Sequence, residues 1–98
     1  RTPNYNEGNG KDHWSIGSAL VVGKGIKGNR GLGATDDKQF ALPFDPTTLR
    51  TDKEKGTKIR PEHIHEALRE LAGIADHPTS KKFPLGVPEK EKLVRFWG

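Results

Sequence analysis

Residues 61–73 read Pro-Glu-His-Ile-His-Glu-Ala-Leu-Arg-Glu-Leu-Ala-Gly, and this stretch carries the clearest secondary-structure pattern in the chain. Pro61 suits the first turn of a helix, where its missing N–H costs no hydrogen bond, and Glu62 complements the helix dipole. Gly73 suits the left-handed residue that ends many helices. Apolar residues recur at helical spacing between these ends, at Ile64, Ala67, Leu68, Leu71 and Ala72. The pattern predicts an amphipathic helix from Pro61 to Gly73.

A short apolar run upstream of this helix predicts a β-strand. Residues 14–22 read Trp-Ser-Ile-Gly-Ser-Ala-Leu-Val-Val. The last four are apolar without alternation, which is typical of a strand that is covered on both faces. Lys92–Trp97 is a candidate for a short final strand, and much of the remaining chain reads as loop. One buried strand, a glycine-rich loop and a helix indicate an α/β fold whose other strands lie outside these residues.

The composition indicates a thin hydrophobic core. Val, Ile, Leu and Phe together number 21 of 98 residues, whereas Gly and Pro number 12 and 7. This content is close to the level, roughly 20%, below which chains are usually disordered. The chain also begins with Arg1 rather than Met. We therefore expect residues 1–98 to be a single partial domain without an internal boundary, the C-terminal segment of a larger α/β domain, and only marginally stable alone.

Charge and residue usage exclude several classes of protein. The net charge is +4, and basic and acidic residues are mixed along the chain rather than grouped. A nucleic-acid groove needs basic residues on one face with aromatic residues between them, so we expect no nucleic-acid partner. No apolar run approaches the roughly 18 residues of a membrane span, so we expect no membrane partner. The absence of Cys excludes a disulfide framework and a thiolate metal site.

Residues 23–28 read Gly-Lys-Gly-Ile-Lys-Gly and match the spacing of a dinucleotide-binding loop. Such a loop must open a helix whose N-terminus meets the phosphates. Here two further glycines, Gly31 and Gly33, follow at once and oppose a helix start. The stretch is therefore interpreted as a tight or mobile loop rather than a nucleotide site.

Asp12 and His13 are the candidate metal ligands that the sequence offers. They lie between a loop that contains Gly8 and Gly10 and the predicted strand that begins at Trp14. Imidazole and carboxylate groups are common metal ligands. The alternative is an ordinary polar end of a loop. His63 and His65 differ by about 200° around a regular helix, so they cannot bind one ion together. No serine or cysteine nucleophile with a base at a familiar spacing is present, so the chain does not carry a complete active site.

A series of short motifs resembles a known family. Arg-Thr-Pro at 1–3, Gly-Lys-Asp-His-Trp at 10–14, Gly-Ile-Lys-Gly at 25–28, Gly-Ala-Thr-Asp at 33–36, Pro-Glu-His-Ile-His at 61–65 and Leu-Ala-Gly-Ile at 71–74 occur in this order. Together they resemble the C-terminal part of a bacterial sulfatase-like family of unknown function in the alkaline phosphatase and sulfatase superfamily. The similarity extends from Arg1 to about Gly86, and the block at 10–14 is its most specific part.

The resemblance implies an alkaline phosphatase-like sandwich with a mostly parallel sheet. It also implies one or two divalent metal ions of the zinc, manganese or calcium class, and hydrolysis of a small anionic phosphate or sulfate ester. His13 would be a metal ligand, with Asp12 sharing or orienting it, and Lys11, Trp14 and Arg1 would be further pocket residues. The nucleophile and the other ligands would come from the missing N-terminal part of the parent domain. Export or a periplasmic location would follow from the family alone.

Three functional hypotheses remain open on this sequence. The first is a segment of a metal-dependent ester hydrolase that is inert alone. The second is a non-catalytic scaffold of the same family that binds a partner or a polysaccharide. The third is a small basic module that binds an anionic polymer, with an affinity that falls steeply as salt rises.

Overall fold

The computed structural model describes all residues 1–98, and its regular structure is confined to three short helical elements. Helix α1 spans Pro61–Leu71, helix α2 spans Pro78–Lys82, and a single 3₁₀ turn spans Glu89–Glu91. The rest of the chain is turns and loops with three isolated antiparallel bridges and no β-strand. The predicted α/β fold with an alkaline phosphatase-like sandwich is therefore wrong. None of the helices is long and apolar enough to cross a bilayer.

Neither predicted strand forms, because neither segment pairs with a second backbone in a continuous ladder. A strand needs a neighbouring backbone to receive its hydrogen bonds, and residues 14–22 make no backbone–backbone hydrogen bond. The apolar run predicted to be buried is on the surface, with Leu20 93% and Val22 88% exposed. Lys92–Trp97 instead leaves the 3₁₀ turn and enters a turn in which Arg95 has a φ of 53°.

Helix α1 begins at Pro61, as the sequence predicts, and ends two residues before Gly73, at Leu71. Gly73 has a φ of 70°, the left-handed conformation expected at a helix end. The side chain of the N-cap residue, Arg60, makes no capping bond, because a guanidinium has no acceptor. Its backbone N–H instead donates to Nδ1 of His63 at 2.9 Å. His63 thus takes the position that Glu or Gln usually occupies in a capping box.

The buried core is very small and connects α1 to two distant loops. Only four residues are fully buried, namely Phe44, His63, Ala67 and Leu93. Phe44 forms bridges with both Thr51 and Thr57, which folds residues 44–57 into a compact loop. The radius of gyration is 15.7 Å, whereas a compact chain of this length has about 13 Å. The molecule is accordingly elongated, with extents of 48 × 28 × 28 Å.

The glycine-rich loop at residues 23–33 is hydrogen-bonded to the C-terminal residues. The backbone N–H of Lys27 donates to the carbonyl oxygen of Trp97 at 2.7 Å, and Nη2 of Arg30 donates to the carbonyl oxygen of Phe96 at 2.8 Å. The indole N–H of Trp97 donates in turn to the carbonyl oxygen of Ala67 on α1 at 2.7 Å. No helix follows the loop, and the N–H of Ile26 donates to the carbonyl oxygen of Gly23, which confirms the prediction of a tight turn here.

Candidate functional site

The N-terminal residues form a tight hairpin loop that is organised by one asparagine. Oδ1 of Asn6 accepts hydrogen bonds from the backbone N–H groups of Gly8 and Gly10, at 3.0 and 2.9 Å. The N–H of Asn6 also donates to the carbonyl oxygen of Gly10, and Asn9 has a φ of 61°. This is a turn followed by a left-handed residue, a common hairpin connection in which Asn stabilises the turn through its own side chain.

A second loop, thirty residues later, repeats this geometry with an aspartate. Oδ1 of Asp36 accepts from the N–H groups of Lys38 and Phe40 at 2.8 and 2.9 Å. The N–H of Asp36 donates to the carbonyl oxygen of Phe40, and Gln39 has a φ of 65°. The two loops read Asn-Glu-Gly-Asn-Gly and Asp-Asp-Lys-Gln-Phe. The two stretches have no identical residue at matching positions, and only the paired Asn6 and Asp36 are chemically similar, so the sequence does not reveal the shared turn.

Trp14 connects the two hairpins and creates a cleft between them. Its indole N–H donates to the carbonyl oxygen of Gln39 at 3.0 Å, and its ring lies 5.1 Å from the ring of Phe40 at an angle of 46°. The cleft has a volume of about 590 Å³. Its walls include aromatic, charged and amide side chains, among them Asn4, Tyr5, Asp12, Trp14, Lys38 and Phe40.

The structure brings four of the five predicted site residues together at the first hairpin. Nη1 of Arg1 donates to the carbonyl oxygen of Lys11 at 3.1 Å, and Nζ of Lys11 lies 5.1 Å from the centre of the Tyr5 ring. Oδ1 of Asp12 accepts from the Asn6 amide at 3.0 Å, and Trp14 forms a wall of the cleft. The hairpin therefore holds this polar cluster in a defined arrangement.

Like Arg1 and Lys11, His13 is a predicted site residue that does not line the cleft. Its side chain is exposed and makes no hydrogen bond, and the Asp12 carboxylate contacts Asn6 rather than His13. No group of three or more His, Asp or Glu side chains in residues 1–98 is placed to hold a metal ion. Since metal sites commonly use three or four ligands, a site that includes Asp12 and His13 would take its other ligands from a different polypeptide segment.

Sequence reasoning missed the structural role of His63. This side chain is 1% exposed, and its Nδ1 accepts the Arg60 N–H. Nδ1 therefore carries no proton, so the hydrogen of the neutral ring is on Nε2, which faces Oε2 of Glu91 at 3.1 Å. His65 is exposed, in agreement with the opposite directions predicted for the two rings. The sequence did contain a signal for this role. Arg60, the residue before the helix, cannot cap it, and His63 stands at the third helical position.

A second, smaller cavity of about 350 Å³ lies beside the loop at 44–57 and is lined by Asp45, Asp52, Lys55 and Glu91, among others. Backbone N–H groups of Lys55 and Glu54 donate to Asp52 and lower the pKa of its carboxyl below the usual 3.8. Oδ1 of Asp45 similarly accepts from the N–H groups that follow it. Both carboxylates thus stabilise turns of the loop.

No protein-family model, curated protein or solved structure matches this chain. The resemblance of its short motifs to the sulfatase-like family therefore stays a prediction, as do the metal-dependent chemistry and the site roles that it implies.

Proposed function

We propose that residues 1–98 are a segment of a metal-dependent phosphate or sulfate ester hydrolase, to which they contribute a metal ligand and part of the pocket wall. The observation that supports this best is the placement of His13. Its exposed imidazole follows directly on a hairpin whose last polar residue, Asp12, is held by Asn6. An imidazole with a free nitrogen on an ordered support suits zinc or manganese.

In this proposal residues 1–98 supply metal ligands and positive charge to the active site, but not the nucleophile. Oδ2 of Asp12 makes no hydrogen bond within the chain and is free to act as a ligand beside His13. Divalent ions at such a site would polarise the ester and stabilise the attacking and leaving oxygens. The side chains of Lys11 and Lys38 supply positive charge near a small anionic ester. The nucleophile and the remaining ligands would belong to the rest of the parent protein, so the chain alone would be inert.

The exposed apolar side chains support contact with such a larger polypeptide. Leu20 and Val22 are almost fully exposed, and Val21 between them is 41% exposed. Contiguous exposed apolar surface commonly marks a protein interface. The run at 19–22 is the longest apolar run in the chain, which makes it the segment we expect to contact the partner.

The test compares two exposed histidines in the protein that carries this chain in the cell. Bound metal is measured by elemental analysis, and hydrolysis is measured with 4-nitrophenyl phosphate and 4-nitrophenyl sulfate. His13→Ala should lower metal content and the hydrolysis rate together, by on the order of 10-fold or more. His65→Ala, an exposed histidine on α1, is the matched control. Unchanged metal content in His13→Ala overturns the ligand role, and metal binding without hydrolysis of either ester favours the non-catalytic scaffold.

A second candidate function is binding of an anionic polymer. Of the 17 Lys and Arg side chains, only Lys92 lies within 4.0 Å of a carboxylate, where it meets Glu70 and Glu89. The other basic groups keep their charge available for phosphate or sulfate groups. Heparin affinity should then fall steeply between about 50 and 200 mM salt. An affinity that does not change with salt rejects this candidate.

A further inference from the structure

Three of the seven aromatic residues meet at the cleft between the hairpins. The Trp14 ring is fixed, because its N–H is bonded to Gln39 and its face is tilted against Phe40. Phe40 is 45% and Tyr5 72% exposed, although each is large and apolar. We call Tyr5, Trp14 and Phe40 the aromatic wall of the cleft. Its exposed ring surface is available to an apolar face of a ligand.

Polar groups without partners lie beside this aromatic wall. The Asn4 amide, the Tyr5 hydroxyl, Oδ2 of Asp12 and Nζ of Lys38 line the same cleft and make no hydrogen bond within the chain. They comprise both donors and acceptors. A ligand that fits this cleft therefore has an apolar face for the aromatic rings. Around that face it carries groups that both donate and accept hydrogen bonds.

We infer that the cleft is a saccharide-binding site. The C–H faces of a saccharide pack on the aromatic wall of Tyr5, Trp14 and Phe40. Its hydroxyls both donate to Asp12 and accept from Lys38. A nucleotide also stacks on the aromatic wall, and Lys38 attracts its phosphate while Asp12 repels it, so a nucleotide is the competing ligand in the test. The volume of about 590 Å³ falls within the range of small-molecule sites. The saccharide site shares Oδ2 of Asp12 with the proposed metal site, but its aromatic wall and Lys38 bind no metal, so it does not rest on the proposed function.

Calorimetric titration of the full chain tests the inference, with EDTA present so that metal binding plays no part. The probes are the hexasaccharides of cellulose, chitin, xylan, mannan and chondroitin, with adenosine monophosphate as the nucleotide probe. At least one hexasaccharide should bind. Its Kd should rise by on the order of 10-fold in Tyr5→Ala and in Trp14→Ala, since each removes a stacking surface.

Phe83→Ala is the matched control, because Phe83 is an exposed aromatic residue outside the cleft. It should leave the affinity unchanged. Trp14→Ala also removes the hydrogen bond to Gln39 that joins the two hairpins, so it could lower affinity by changing the fold. The Tyr5 hydroxyl makes no hydrogen bond, so Tyr5→Ala removes a stacking ring without breaking such a link. The inference is overturned if no hexasaccharide binds, if only the nucleotide binds, or if Tyr5→Ala binds as tightly as the unchanged chain.

Discussion

Replacing His63 by alanine should destabilise the protein more than any other single change on α1. The imidazole is the only fully buried polar side chain, and it has two partners. Its Nδ1 accepts the Arg60 N–H at 2.9 Å, and its Nε2 donates to Glu91 at 3.1 Å. Removal leaves a helix N-terminus without its cap and a carboxylate without its donor.

The expected cost follows from these two bonds. Loss of a helix cap costs about 1 kcal/mol, and a hydrogen bond to a charged group contributes about 1.5–3 kcal/mol. The Glu91 side chain is 24% exposed, so water replaces part of its lost bond and the lower end applies. We expect His63→Ala to lower the free energy of unfolding by about 2.5 kcal/mol. For a domain of this size that is a fall in Tm of roughly 10–20 °C.

Urea unfolding followed by far-ultraviolet circular dichroism and by Trp fluorescence measures this loss. His65→Ala removes an exposed histidine of the same helix and should change stability by less than about 0.5 kcal/mol. His63→Gln should recover roughly half of the loss, because a Gln carbonyl at this position accepts the N-cap N–H. Equal stability of His63→Ala and His65→Ala would refute the assigned role of the buried imidazole.

The remaining predictions concern other parts of the chain. Gly56→Ala should cost about 1–3 kcal/mol in urea unfolding, because its Cβ would collide with the carbonyl oxygen of Asp52. Gly31→Ala, which has open space around its Cβ, should be neutral or stabilising by up to about 1 kcal/mol. Trp97→Phe should cost about 1 kcal/mol in the same assay, because it removes the N–H that donates to Ala67. The lowered pKa of Asp52 means that its contribution to stability is present above its usual pKa of 3.8 and is lost as the pH falls below that value. Asp52→Asn should therefore reduce the dependence of Tm on pH in that range, and an unchanged acid profile would contradict this origin.

The candidate site was predictable only in part. The residues that surround the first hairpin, Arg1, Lys11, Asp12 and Trp14, are close in sequence, and the structure places them close in space. Tyr5, Lys38 and Phe40 were not predicted. The last two join the site because the loop at Asp36 takes the same turn as the loop at Asn6, and because Trp14 reaches across to Gln39.

Helix α1 and the turn at the glycine-rich loop were determined by the sequence itself, because their causes are local. Pro61 fixes its own φ, Gly73 tolerates the left-handed conformation, and clustered glycines after residue 23 oppose a helix. Whether residues 19–22 form a strand was decided by tertiary structure alone, because a strand exists only where a second backbone satisfies its hydrogen bonds. The same holds for the cleft and for the burial of His63 against Glu91, whose partners are 28 residues apart in the chain.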